Sequence, residues 1–234
     1  MADAERSPFT SRKAGEAYLV QPDEGPGPGV LVLCSWWGLT RYLKDFCATL
    51  ADHGYTVLAP DLLHGERPDD EAAGEQALAR LDPDELTGLV ISSAHLVRSA
   101  AADAAAPIGV VGFSMGASLA FWLSARLPDS VRSVVAFYGA QSIDFDAAKA
   151  AYQGHYAEDD PWVSDDDRVL TESFVRLSGL DTEFHLYPGT GHWFMEEGHP
   201  HHDPAAAAAA LERTLHFLDR HLKVDGRPGN DTGA

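Results

Sequence analysis

Apolar positions along this chain follow two rhythms, and the rhythms alternate. VLVLC (30–34), YTVLAPDLL (55–63), IGVV (108–111) and VRSVVAFYG (131–139) are short continuous apolar runs, the pattern of strands covered on both faces. Between them lie segments with helical spacing: residues 42–52, DPDELTGLVISSAHLVRSA and ASLAFWLSARL. The second of these carries Asp82 as N-cap, Pro83 at the first helical position and Glu85 three residues after the cap. The alternation continues with a strand at QGHYAEDD, a helix around residues 168–177, a strand at TEFHLYP and a last helix in DPAAAAAALERTLHFLDRHL.

Parallel strands need crossover connections, so this order predicts an α/β protein with a mainly parallel central sheet and helices on both faces. GPGPG (25–29) punctuates the entry to the first buried strand, and Pro60 closes the second. Residues 1–12 and the tail VDGRPGNDTGA (224–234) are expected to fray, and no internal repeat is visible. A chain of 234 residues suits one domain, 1–234.

Charge narrows the function classes. The formal net charge is −19, from 36 Asp and Glu against 17 Lys and Arg, so the basic patch that a nucleic acid requires is not expected. No apolar run approaches the ~20 residues that span a bilayer, and MADAERSPFTSRKAGE lacks the apolar core of a secretory signal, which makes a cytoplasmic protein with no membrane partner the expectation. Cys34 and Cys47 stand in apolar surroundings without a CxxC spacing, so they read as reduced thiols rather than a disulfide or a zinc site. A monomer is expected, since no exposed apolar helix face stands out.

The candidate chemistry centres on GFSMG (112–116). Its serine lies between a strand and a helix, the context of a nucleophile elbow, where flanking glycines leave room for a sharp turn. A serine hydroxyl needs a base, and the base an orienting acid, supplied in the order Ser, Asp or Glu, His from the ends of later strands. GHYAEDDPWV offers Asp159 and Asp160. Of eleven histidines, His192 alone follows a strand and a GTG turn that could carry an imidazole over Ser114. The cluster GHPHHDP is read as a helix start, Asp203 capping and Pro204 at the first position, rather than as a metal site.

LVLCSWWGLT (31–40), VLAPDLL, GFSMGASLAF, VAFYG, AEDDPWV and PGTGHWF, in that order and spacing, resemble the dienelactone hydrolase family of α/β hydrolases over nearly the whole chain. The resemblance implies an α/β-hydrolase fold with Ser114 as nucleophile, His192 as base and Asp160 as orienting acid, Asp160 being the one directly before PWV. It implies an oxyanion hole from the backbone N–H groups of Trp36 and Met115. It also implies a pocket for a small-molecule acyl substrate at Ser35, Trp36, Trp37, Tyr138, Trp162 and Trp193, with no metal or organic cofactor.

Three departures from the family shape the expected activity. The dienelactone enzymes carry a cysteine nucleophile where this chain has Ser114, and a glutamate where it has Ser35. Their lactone-holding arginine corresponds to about Glu196, which would repel a carboxylate substrate. The expectation is a serine esterase that hydrolyses a small ester, lactone or thioester through an acyl-enzyme. A small-peptide hydrolase and a catalytically idle ligand-binding module are the alternatives.

Overall fold

The computed structural model describes residues 16–223, so the ends expected to fray, 1–12 and 224–234, lie outside the described residues. Seven strands form one sheet: β1 (Ala17–Val20), β2 (Gly29–Leu33), β3 (Thr56–Pro60), β4 (Ile108–Phe113), β5 (Val131–Phe137), β6 (Ala151–Asp159) and β7 (Thr182–Gly191). Six helices accompany them: α1 (Arg41–Asp52), α2 (Glu71–Ala79), α3 (Pro83–Ala100), α4 (Met115–Arg126), α5 (Asp165–Leu177) and α6 (Pro204–Leu222). Among the described residues no helix is long and apolar enough to cross a membrane.

The spatial order is β1-β3-β2-β4-β5-β6-β7, all parallel except β1, which runs antiparallel to β3. Every residue of β2, β3 and β4 is buried, the reason these strands read as continuous apolar runs. Right-handed crossovers that move in opposite directions from the centre put α1 on one face and α3 and α4 on the other. On the α1 face α6 packs over β4, β5 and β6, and Lys223 at its end donates to the His53 carbonyl at the end of α1.

The direction in which successive strands are added to the sheet reverses between β2 and β4, which lie parallel. In open α/β sheets the carboxyl ends of strands at such a switch point form the binding crevice, and here those ends lead into the loop of Ser35 to Gly38 and into Ser114.

Two elements have no counterpart in the apolar pattern. The edge strand β1 has only four residues and a half-exposed face. Helix α2 is capped by Asp70, whose side chain accepts from the Ala73 N–H, but it buries only Gly74 and Ala77. Gly74 seats the helix on Trp36, because a Cβ there would lie 2.9 Å from the indole. β7 also runs further than TEFHLYP, through the GTG segment to Gly191, so His192 follows the strand directly instead of sitting in a glycine loop.

An ion pair between a buried carboxylate and a partly exposed arginine joins the loops after β2 and β3. The Asp61 carboxylate, fully buried, accepts from both terminal nitrogens of Arg67 at 3.2 and 3.0 Å and from the N–H groups of Leu63 and Gly65, while Arg67 Nε donates to the Leu39 carbonyl. Arg67→Met leaves Asp61 buried without its cation but with its two backbone donors. Urea unfolding should show a loss of about 2–3 kcal/mol, and a loss below about 0.5 kcal/mol would contradict this role.

Candidate active site

Ser114 occupies the junction between β4 and α4 with φ 52° and ψ −113°, a conformation that a residue with a Cβ rarely adopts. Its neighbours leave no room for side chains. A Cβ on Gly112 would stand 2.2 Å from the Gly116 carbonyl oxygen, and one on Gly116 would stand 2.3 Å from that of Leu33. The glycines of GFSMG therefore let the helix end press against β2 and turn the serine hydroxyl outward.

The register of β6 against β7 supplies the partners. The ladder shifts between Ala157 and Asp159 and pairs Asp159 with Gly191, so the next residues on the two strands, Asp160 and His192, emerge side by side. His192 Nδ1 stands 2.8 Å from each carboxylate oxygen of Asp160, and His192 Nε2 stands 2.8 Å from Ser114 Oγ. The carboxylate fixes the proton on Nδ1, leaving Nε2 to accept from the serine hydroxyl. Asp160 Oδ1 accepts also from the N–H groups of Trp162 and Val163, which orient it. Asp159, the other acid of the pair, points to solvent.

The His192 side chain is 2% exposed and that of Asp160 is 3% exposed. The ring of Tyr138 lies 4.8 Å from the imidazole and that of Trp193 4.7 Å, and both residues have positive φ, 40° and 65°. Three sparsely populated backbone conformations thus surround one imidazole. The N–H groups of Trp36 and Met115 make no hydrogen bond to another described residue. They are two free donors on the loops that flank Ser114.

A cavity of about 420 Å³ opens at Ser114 and His192. Of the expected pocket residues, Tyr138 and Trp162 line it. Ser35, Trp36, Trp37 and Trp193 stand outside it. Trp36 and Trp37 pack against Trp193 at 5.5 and 5.3 Å, and Trp36 meets Trp162 edge-on at 4.8 Å. Indoles bury more apolar surface against each other than along an open cleft, so they form a plug behind the histidine. In their place the cavity presents Ser118, Gln141, Ser142 and Asp167, and no lysine or arginine among the described residues borders it.

Glu196 is also not where the sequence suggested. It is buried, accepts from Ser35 Oγ and the Tyr138 hydroxyl, and borders a separate cleft of about 770 Å³ together with Trp37, Tyr42 and His199. The carboxylate that faces the catalytic cavity is Asp167, which sequence reasoning missed; as the N3 partner of Ser164 in the capping box of α5, it carried a helix-start signal only. Asp203 caps α6 through the Ala205 and Ala206 N–H groups, and the His199 ring lies tilted against Trp193 at 4.5 Å. Cys34 and Cys47 are free and buried, and burial pushes the Cys34 thiol up to about 12.

A family model described as the dienelactone hydrolase family matches residues 16–222. The chain is 30% identical to the "Probable 2-oxo-3-(5-oxofuran-2-ylidene)propanoate lactonase" of Bradyrhizobium, over 91% of this chain and 92% of that protein. It is 29% identical to carboxymethylenebutenolidase 1 of Cupriavidus pinatubonensis, over 90% and 94%. Among solved structures, a dienelactone hydrolase-like promiscuous phosphotriesterase, P91, from metagenomic libraries superposes with a TM-score of 0.73 at 19% identity, covering 89% of this chain and 99% of that one. At that identity the likeness concerns the fold.

Strain at the serine has a measurable signature. Ser114 makes no side-chain cap bond to α4, so an exchange to alanine loses no cap. Glycine tolerates positive φ, so Ser114→Gly should be more stable than Ser114→Ala by about 1 kcal/mol, the reverse of the usual order. Equal stabilities in urea titrations would show that the turn is unstrained.

Proposed function

The chain belongs to the dienelactone hydrolase family, and we propose that it is a serine hydrolase of small, uncharged esters or lactones, acting as one domain through an acyl intermediate on Ser114. The observation that carries this reading is the unbroken relay from Asp160 through His192 to Ser114, each step 2.8 Å long.

In this mechanism His192 Nε2 takes the hydroxyl proton as Ser114 Oγ attacks the acyl carbon. Asp160 keeps the imidazole in the required tautomer and stabilises its cationic form. The Trp36 and Met115 N–H groups donate to the oxyanion. The imidazolium returns its proton to the leaving alcohol, and a water activated by the same histidine then releases the acid and regenerates the serine.

The substrate class follows from the cavity. A cavity of about 420 Å³ accommodates a small ester. The lactones in the names of the relatives carry carboxyl groups. Here Asp167 faces the cavity with no cation beside it, which disfavours an anionic substrate. Ser118, Gln141 and Ser142 favour a substrate with hydrogen-bonding groups near the acyl carbon. Ester over peptide is supported by the same small volume.

Intact-protein mass after fluorophosphonate treatment tests the nucleophile. One adduct on wild type and none on Ser114→Ala, with turnover of p-nitrophenyl acetate, is the expected result. A folded wild type that takes no label would leave a ligand-binding module as the better reading. Asp160→Asn, which spoils the tautomer but preserves shape, should lower kcat by roughly a thousandfold to ten-thousandfold. A loss below about tenfold would remove Asp160 from the relay.

A further inference from the structure

A second buried acid stands behind the catalytic serine. Glu196 is 6% exposed, and two hydroxyls donate to its carboxylate: Ser35 Oγ to Oε2 at 3.0 Å and Tyr138 OH to Oε1 at 3.0 Å. These partners are 161 and 58 residues away in sequence. No lysine or arginine among the described residues bonds to it; the nearby Arg67 is engaged by Asp61.

The three segments that meet at this carboxylate are the three that frame Ser114. Ser35 immediately precedes Trp36, and its hydroxyl oxygen accepts from the Trp37 N–H at 3.4 Å, so Ser35 fixes the loop carrying one oxyanion donor. Tyr138 lines the catalytic cavity and lays its ring against the imidazole. Glu196 itself lies in the turn after His192, where its N–H donates to the Trp193 carbonyl at 2.8 Å.

Resting on the Ser114 acyl-enzyme reading, we propose that Glu196 is a positioning residue for the hydrolysis: as an anion it accepts both hydroxyls and thereby holds the oxyanion loop and the cavity wall in register with His192. It touches neither substrate nor reacting atoms. Protonation loosens the arrangement, because one carboxyl oxygen then carries a proton and faces a hydroxyl that was donating to it. Either Ser35 or Tyr138 must turn its hydrogen away.

Burial pushes the Glu196 carboxyl from 4.5 up to about 7, against the smaller pull of the bonds from Ser35 and Tyr138. Burial pushes His199, whose N–H donates to the Glu196 carbonyl, down to about 4. Burial raises the Tyr42 and Tyr138 phenols well above their ordinary value and the Cys34 thiol to about 12, and the Glu196 charge raises all three further. Glu197 is its sequence neighbour, and on the side of Cys34 stand Asp61 and Arg67, paired with each other.

The sign of the linkage separates positioning from plain structural support. A carboxyl with its folded pKa raised contributes stability that is fully present below the unfolded value of 4.5 and is lost as pH rises through about 7. The anion that positions the loops is therefore the form the fold disfavours. Activity rises and stability falls over one pH window.

The test compares wild type, Glu196→Gln and Ser35→Ala in three readouts: the rate of fluorophosphonate labelling at Ser114, kcat/KM on p-nitrophenyl acetate from about pH 5 to 9, and Tm across the same range. Glu196→Gln should lose about ten- to a hundredfold in kcat/KM at alkaline pH, through misplacement of the donor loop. Its Tm there should nevertheless rise by a few degrees, because a buried charge is gone. The acid limb of log kcat/KM should be less steep in Glu196→Gln, which lacks the titrating carboxyl, than in wild type. Ser35→Ala removes a bond that lowers the Glu196 pKa, so its acid limb should move to higher pH.

Labelling of Glu196→Gln at the wild-type rate throughout, or a Tm that falls together with activity, would overturn the proposal. Should Glu196→Gln fail to fold, an unmoved acid limb in Ser35→Ala overturns it equally. Wild type that takes no label at Ser114 would remove the acyl-enzyme reading and this inference with it, whereas labelled wild type with an unaltered variant profile removes this inference alone.

Discussion

A serine held at positive φ between a strand and a helix is the constraint on which the other features of the site depend. Such a conformation costs on the order of 1–3 kcal/mol and persists only where the surroundings over-determine it. Here they do so by contact. Gly112 and Gly116 approach each other and the end of β2 at distances that exclude a Cβ, and a Cβ on Gly139 would stand 2.6 Å from the Ser114 carbonyl oxygen. The fully buried parallel strands β2 and β4 supply the rigid floor, and the reversal of strand order at this point opens the crevice above it. From this one turn follow the outward hydroxyl, the free Met115 N–H and the position that the imidazole must reach.

Three buried carboxyl groups near the crevice meet three different environments. Asp61 faces a guanidinium and two backbone donors and ties two loops together. Asp160 faces an imidazole, a partner able to become its counter-ion during turnover. Glu196 has only hydroxyls, which stabilise an anion less than a cation would, and its carboxyl is pushed up to about 7. In the proposed mechanism, similar chemical groups thus serve structure, proton transfer and loop register according to the donor each one finds. The reaction assigned to the site draws on all three at once, since the loops, the imidazole and the serine must be in place together.

Legibility in the sequence followed locality. The parallel core was readable because burial on both faces leaves strands as uninterrupted apolar runs, and α3 announced itself through Asp82, Pro83 and Glu85, of which Asp82 does cap the helix. The strand β1 was not readable, since four alternating residues on a sheet edge carry little signal; nor was α2, which buries little and has a glycine where it meets Trp36. Ser114, Asp160 and His192 stood at strand ends, and it is the β6–β7 register that brings the last two together. What could not be read was which aromatic residues face the substrate. Trp36, Trp37 and Trp193 look like pocket walls in one dimension and form a plug in three. The Ser35–Glu196–Tyr138 junction joins positions far apart in sequence, and no local pattern predicts it.

The central claim, a covalent intermediate on the strained serine, is tested most directly by acid-quenching the enzyme during turnover of a slowly hydrolysed ester and mapping the acyl mass by peptide sequencing. The account predicts an adduct on the peptide that contains Ser114, at Ser114 itself, appearing before the acid product and decaying as the ester is exhausted. Steady turnover with no adduct at Ser114, or turnover that persists in Ser114→Ala, would contradict it.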